Sequence, residues 1–259
     1  MIRRRLSVWI AYKTIVVKEI LRFARIWVQT IFPPIITTSL YLLIFGGLMG
    51  EMIGPMQGVD YLHFIIPGII LMTVIQNSYA NTVSSFFLAK FNHSIEELLV
   101  SPVPYWVILL GYISGGVARG FAVGLGVFIA VAFFVDLNIE SYWISAMMFL
   151  LTAVLFSLAG FINAVFAESF DDISIVPTFI LMPMTYLGGM FYSIEILPEF
   201  WQDVSRFNPI YYMVDGFRLG FLGVSTADIY TSVGMLISMI AILAIIAFYL
   251  LKKGVNIKT

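Results

Sequence analysis

The sequence predicts an all-α integral membrane protein with six transmembrane helices, and two observations lead to that fold class. Hydrophobic residues make up 61% of the 259 residues and charged residues only 11%, whereas roughly a quarter of the residues in a soluble domain are charged. Six apolar runs are each close to or above the ~20 residues that span a bilayer; they are 27–49, 64–88, 106–135, 143–166, 173–191 and 232–251. The remaining residues are too few for a separate soluble domain, so we expect one membrane domain over 27–251.

The segment before the first span predicts an amphipathic interfacial helix over 1–26. Basic and small residues recur there at helical spacing, at Arg4, Ser7, Ala11, Thr14, Lys18, Arg22 and Arg25. Lys13, Lys18 and Glu19 interrupt what would be the apolar core of a signal peptide, so a cleaved signal is not expected. We expect the basic groups to face lipid phosphates or a partner protein, and both alternatives stay open.

The lysines and arginines predict that both termini are cytoplasmic, because positive charge concentrates on the cytoplasmic side of bacterial membrane proteins. With six spans, one side of the membrane receives the basic residues before span 1, Lys90, and a short tail at 252–259 that contains Lys252, Lys253 and Lys258. Arg206 and Arg218 fall on the opposite side. We therefore expect a multi-pass protein of the bacterial cytoplasmic (inner) membrane.

Polar side chains inside the spans are candidates for a passage or for helix-to-helix hydrogen bonds, and we favour the second explanation. They are Gln76, Asn77 and Asn81 in span 2, Arg119 in span 3 and Asn163 in span 4. Span 3 also places glycines at four-residue intervals, which predicts closely packed helices. For Arg119 three roles stay open: a position at the membrane edge, a structural pair, or contact with substrate.

A polar island between spans 2 and 3 predicts a short cytoplasmic helix over about 94–102. Ser94 is expected to cap it, acids fill its first turn, an apolar edge follows, and a proline ends it. A membrane protein with such a helix and no nucleotide site is usually moved by a protein docked there. The candidate docking residues are Ser94, Ile95, Glu96, Glu97, Leu98, Leu99 and Pro102.

The loop between spans 4 and 5 is acidic where positive charge is usual on the cytoplasmic side. Glu168, Asp171 and Asp172 could contact a basic partner surface or cap span 5, and neither alternative is favoured. Pro177 and Pro183 make a regular helix improbable throughout span 5.

The stretch before span 6 predicts two half-helices that re-enter the outer leaflet, over about 193–224. Pro198 and Pro209 each suit the first turn of a helix, and the segments are too apolar for a free loop and too broken for a span. Asp215 and Arg218 are three residues apart on the second half-helix, a spacing that predicts an ion pair.

Several kinds of chemistry are absent from the sequence. There is no G-x-x-x-x-G-K-[ST] loop for ATP, no cysteine, and only two histidines, His63 and His93. No constellation of residues indicates catalysis, so we expect no enzyme activity, no cofactor or metal bound by this chain, and no nucleic-acid partner. The spans hold almost no acids, which disfavours an ion-coupled carrier or a channel, although an ATPase-independent carrier or channel stays as the alternative. The driving energy is expected to come from outside the chain.

The chain resembles the ABC-2 family of ABC transporter permeases, and most closely its YadH-type inner-membrane branch. The similar stretches are 95–102, Gly116-Val117-Ala118-Arg119-Gly120, Phe170-Asp171-Asp172-Ile173, 186–192, Leu197-Pro198, Asn208-Pro209 and 212–218. The resemblance implies an exporter in which two copies of the permease, embedded in membrane lipids, form the substrate pathway. It also implies that a separate ABC ATPase of the YadG type binds ATP and Mg²⁺ and pushes on the 94–102 helix, which would be the coupling helix.

Overall fold

A computed structural model describes residues 2–256, and within that range the side chains of residues 2–7 and Glu51 are outside the description. The described chain is helical and contains no β-strand. Its α-helices are Ile2–Ala24 (α1), Trp27–Tyr41 (α2), Gly50–Ile53 (α3), Tyr61–Phe91 (α4), Ser94–Val100 (α5), Tyr105–Ala132 (α6), Tyr142–Phe166 (α7), Asp172–Val176 (α8), Met182–Leu187 (α9), Glu199–Arg206 (α10), Pro209–Leu222 (α11) and Ile229–Lys253 (α12).

Two π-helical segments and one 3₁₀ turn complete the helices. Leu42–Leu48 extends α2 as a π-helix, Pro177–Leu181 joins α8 to α9 in the same form, and Ile194–Ile196 is a 3₁₀ turn. The π segment between α8 and α9 begins at Pro177, which has no N–H to donate. The expectation of an irregular helix in the fifth apolar run is therefore confirmed.

Five of the predicted spans are helices long and apolar enough to cross a membrane within the described chain. They are Trp27–Leu48, Tyr61–Phe91, Tyr105–Ala132, Tyr142–Phe166 and Ile229–Lys253. The remaining predicted span corresponds to the shorter apolar stretch Asp172–Leu187. These five helices are consistent with an integral membrane protein, and the sixth span stays a prediction.

α4 is the centre of the bundle, buried along most of its length between α6 and α7. Glycines on its neighbours permit this close packing. A Cβ on Gly160 of α7 would lie 2.6 Å from the carbonyl oxygen of Tyr79, and a Cβ on Gly116 of α6 would collide with Thr82. The close packing predicted from the glycines of span 3 is thus present in the structure.

The region before α12 consists of α10 and α11, in agreement with the two short helices predicted there. α11 is buried and packs on α4, α7 and α12. The Tyr61 hydroxyl at the start of α4 donates to the carbonyl oxygen of Phe191 at 3.0 Å, whereas α5 follows the other end of α4. The α10–α11 region and α5 therefore lie at opposite ends of the bundle.

Candidate functional site

α5 is fastened to the bundle by one residue that is completely buried. Ile95 is 0% exposed and belongs to the hydrophobic core, and α5 packs against the end of α4. Ser94 is the first helical residue and donates from its hydroxyl to the carbonyl oxygen of Ala89 at 3.2 Å. The expectation that Ser94 caps the helix is wrong: His93 occupies the cap position with φ +57°, and no side chain caps α5. The turn leaves Ser94 facing back along α4.

The rest of α5 divides into a packed side and an open side. Leu98 and Leu99 are partly buried against the core, and the Ser101 hydroxyl closes the last turn by donating to the carbonyl oxygen of Leu98 at 2.6 Å. Val100 is 88% exposed. Glu97 and Pro102 are also exposed, and Glu96 is partly buried. One side of α5 therefore fixes the helix, and the other side is open to a partner.

The structure brings the acidic loop between α7 and α8 next to the α4–α5 junction. The ammonium group of Lys90 donates to the carbonyl oxygens of Val165 and Ala167, at 2.8 and 2.5 Å. The ring of Phe170 lies 5.0 Å from that of Phe87 and 5.4 Å from that of Phe91, measured between centroids. We call α5 together with residues 168–171 the α5 surface.

Within that loop, Asp172 has a structural role. Its carboxylate accepts hydrogen bonds from the backbone N–H groups of Glu168 and Ser169 at 2.8 and 2.9 Å, and its own N–H donates to the Ser169 hydroxyl at 3.2 Å. This reciprocal pair has the form of a capping box. The two backbone N–H groups hold the pKa of the Asp172 carboxyl below its usual range. Glu168 and Asp171 are exposed, so these two side chains remain available for a partner contact.

A polar seam joins α1 to α4 and α6 at the level of Glu19. The Glu19 side chain is fully buried, accepts a hydrogen bond of 2.6 Å from the hydroxyl of Ser85, and lies 3.6 Å from Nε of Arg22. Gly115 of α6 makes room for it, because a Cβ there would lie 2.5 Å from Cβ of Glu19. Neither Glu19 nor Ser85 was predicted as a site residue. One feature of the sequence could have indicated that Glu19 is buried. It is an acid within a basic helix, and it lies four residues after the apolar Ile15, on the same helix face.

Arg22 points into the bundle. Its guanidinium donates to both the carbonyl and the side-chain oxygen of Asn81, each at 2.8 Å, and to the hydroxyl of Ser84 at 3.3 Å. The expectation that Arg22 faces lipid phosphates or a partner is wrong, because the polar side of α4 offers it several acceptors. Lys13 and Lys18 of the same helix are exposed.

The other polar candidates have separate surroundings. Asn77 donates to the carbonyl oxygen of Thr73 one turn earlier in α4, at 3.0 Å. Asn163 lies beside the hydroxyl of Tyr79. Gln76 is exposed and borders a cavity of about 190 Å³ between α2 and α4. Asn81 and Asn163 thus contact neighbouring helices, whereas Gln76 faces open space.

The predicted ion pair between Asp215 and Arg218 is wrong. Within residues 2–256, the carboxylate of Asp215 and the guanidinium of Arg218 do not come within 4.0 Å of each other. Asp215 accepts hydrogen bonds from the N–H and hydroxyl of Thr226 and from the N–H of Ala227, at 2.8–3.1 Å. The Arg218 guanidinium donates to the carbonyl oxygen of Gly189 at 2.8 Å and lies 3.8 Å from the centroid of the Phe64 ring. The two side chains lie near each other on α11 but extend to different loops.

Comparison with known proteins identifies the family. The model of the ABC-2 type transporter family matches residues 10–222. The chain belongs to the ABC-2 transporter family. Its helices, with a central α4 and a small helix between two spans, are therefore those of an ABC-2 membrane component. The resemblance inferred from the sequence is confirmed.

Individual relatives agree with this assignment. The chain is 54% identical over 251 residues to the inner membrane transport permease YadH of Escherichia coli (strain K12), covering 97% of this chain and 98% of that protein. It is 23% identical over 219 residues to nodulation protein J of Rhizobium leguminosarum bv. viciae, with 83% of each chain covered. It is also 24% identical over 212 residues to nodulation protein J of Rhizobium meliloti (strain 1021), covering 82% and 79%.

These findings establish a multi-pass bacterial inner-membrane protein that serves as the permease of an ABC transporter. The ABC-2 family places this chain among transport membrane components and not among enzymes. Membership also implies an ABC ATPase as its partner.

Proposed function

We propose that this ABC-2 chain is the membrane subunit of an exporter, which forms the substrate pathway with a second copy of itself. A separate ABC ATPase of the YadG type drives it, and that subunit holds the ATP and Mg²⁺. In this proposal Asp172–Leu187 is the sixth span and both termini are cytoplasmic, so the α5 surface faces the cytoplasm. The observation that carries the proposal is the anchoring of α5: Ile95 is buried in the core while Val100 is open.

Anchoring on one side gives α5 the mechanical property that coupling requires. A flexible loop would absorb a push from a docked ATPase, whereas α5 moves with the core residues that hold Ile95. Two residues separate the end of α4 from the start of α5, and α4 is one helix of 31 residues, about 46 Å long at 1.5 Å per residue. A displacement of α5 is therefore passed along the central helix of the bundle.

The loop between α7 and α8 adds a second path from the same surface. Lys90 ties the end of α4 to the end of α7, and Phe170 packs on both Phe87 and Phe91. An ATPase that contacts Glu168 and Asp171 would act on α7 as well as on α4. The exposed carboxylates favour a basic patch on that partner.

The cavity between α2 and α4 supports a pathway shared with a second copy. It is lined by apolar and hydroxyl side chains and by the exposed Gln76. Most of the α2 surface is unburied within a single chain, so a second copy could cover this face and enclose the cavity. Export as the direction rests on the family resemblance.

Replacing Val100 with Asp tests the coupling role of α5. Val100 is 88% exposed, so the change leaves the permease folded but puts a charge into the apolar contact with the ATPase. We expect ATPase binding or permease-stimulated ATP hydrolysis in proteoliposomes to fall about tenfold or more, the equivalent of at least ~1.4 kcal/mol of contact energy. The control is Phe207→Asp, since Phe207 is 87% exposed at the opposite end of the bundle.

Normal coupling by the Val100→Asp variant would refute the proposal. Transport by the purified permease in vesicles without any ATPase would favour the alternative, a carrier or channel that works alone.

A further inference from the structure

Arg119 lies on the side of α6 that faces α1. Gly111 and Gly115 are eight and four residues before it, and a Cβ on either would collide with α1, at Ile15 and at Glu19. Residues at four-residue spacing share one face of a helix. The next position on this face is Arg119, which the same register sets opposite the last turn of α1.

Arg119 has no counter-charge in the described part of the chain. No carboxylate lies within 4.0 Å of its guanidinium, and its Nε is buried without a hydrogen-bond partner. The register of α6 against α1, with Gly111 at Ile15 and Gly115 at Glu19, places the turn that contains Arg22, of the same sign, at the level of Arg119. Glu19 is the one buried acid of the seam, and it is already occupied by Ser85 and Arg22.

Arg22 therefore has the Glu19 carboxylate beside it and Arg119 has none, which leaves one excess positive charge at a partly buried position. An unpaired charge in such a place is costly, and ionisable residues in membrane helices usually have a partner. A guanidinium has a planar fork of donors that matches the oxygens of a phosphate or a carboxylate. The missing partner is thus an anion.

We propose that Arg119, next to the seam that Arg22 occupies, binds the anionic head group, phosphate or carboxylate, of an amphiphile. The site lies where α1 meets α2, next to the exposed apolar side chains of Trp27 and Val28. Farther along, α2 runs beside α6, since a Cβ on Gly126 would touch Ile31. A hydrocarbon tail can follow the apolar surface of α2 while the head group neutralises the seam. This inference concerns the permease itself and needs no ATPase.

Thermal unfolding of the purified permease in a neutral detergent tests the site. We expect dioleoylphosphatidylglycerol to raise the unfolding temperature in a concentration-dependent way, and dioleoylphosphatidylcholine to have little effect. Arg119→Gln should raise the half-maximal concentration of the anionic lipid about tenfold or more, because it removes charge-assisted hydrogen bonds. Arg119→Lys should fall between, and Arg25→Gln is the control because Arg25 is exposed.

A third titration identifies the source of the anion. If inorganic phosphate alone stabilises the protein as well as the anionic lipid does, and Arg119→Gln abolishes the effect, the site takes a free anion. If only the lipid stabilises it, the head group of an amphiphile is the ligand. No response to either anion in the unmodified protein, or an unchanged response in Arg119→Gln, would overturn the proposal.

Stability without added anion separates binding from a purely structural role. Arg119→Gln removes an unpaired charge, so in detergent alone its unfolding temperature should equal or exceed that of the unmodified protein. A clear decrease would show that Arg119 supports the fold, and it would count against a ligand site.

Discussion

Truncation of Ile95 to alanine measures how firmly α5 is held. Ile95 is 0% exposed in the structure, so the change removes three buried carbons. At about 0.8 kcal/mol for each buried CH₂ the loss is about 2.4 kcal/mol, and a remaining cavity brings it to about 2–4 kcal/mol. α5 has seven residues and is too short to be stable as an isolated helix. We therefore expect α5 to detach from α4 much more often in the variant.

Hydrogen exchange followed by mass spectrometry is the suitable assay, because it reports local opening. A loss of about 2.4 kcal/mol should speed exchange of the amides in residues 96–101 by roughly 50-fold. Coupling to the ATPase should fall with it, since a detached α5 no longer moves α4. Val100→Ala is the matched control. Its side chain is exposed, so the free energy of local opening should change by no more than about 0.5 kcal/mol.

Unchanged protection of residues 96–101 in Ile95→Ala would refute the reasoning. It would mean that the buried contact of Ile95 does not hold α5 in place. Faster exchange with full coupling would preserve the anchoring but contradict the idea that a rigid α5 is required.

Two further predictions concern the bundle. Gly160→Ala should lower the free energy of unfolding by about 1–3 kcal/mol, because the added Cβ would lie 2.6 Å from a backbone oxygen of α4. Its control is Gly234→Ala, at a position with open space around it, which should stabilise α12 by up to about 1 kcal/mol. Asp215→Ala should destabilise the protein by about 3 kcal/mol or more, because it leaves three hydrogen-bond donors of the 226–227 loop unpaired, at about 1–3 kcal/mol each. Its control is Asp203→Ala, at an exposed position, which should change the free energy of unfolding by less than about 1 kcal/mol.

Both pairs are read by thermal unfolding in detergent. Equal effects of Gly160→Ala and Gly234→Ala would contradict the close approach of α4 and α7. An Asp215→Ala protein as stable as the Asp203→Ala protein would show that the hydrogen bonds of Asp215 contribute nothing net.

Local sequence features explain why the spans and short helices could be predicted. The length of an apolar run is a property of consecutive residues, so five predicted spans coincide with helices in the structure. The prolines at 198 and 209 act on their own turns, and both α10 and α11 begin next to them. The island at 94–102 contains α5 for the same reason.

The candidate site was only partly predictable, because its key contacts join residues far apart in the chain. Ser85 and Glu19 are 66 residues apart, and Arg218 and Gly189 are 29 apart. Spacing on one helix suggested that Asp215 and Arg218 would pair. It could not reveal that the loop at Thr226 would offer Asp215 better donors.

The amino-acid sequence by itself determined that this chain is a helical membrane protein with a short helix between two spans, because composition, run length and turn residues act over a few neighbouring positions. Only the tertiary structure decided where the charged side chains lie: Arg22 in the seam, Asp215 and Arg218 at separate loops, and Arg119 on the side of α6 that faces α1, without a carboxylate within 4.0 Å among the described residues. The reason is physical. A buried charge takes the partners that helix packing brings to it, and packing depends on the whole bundle.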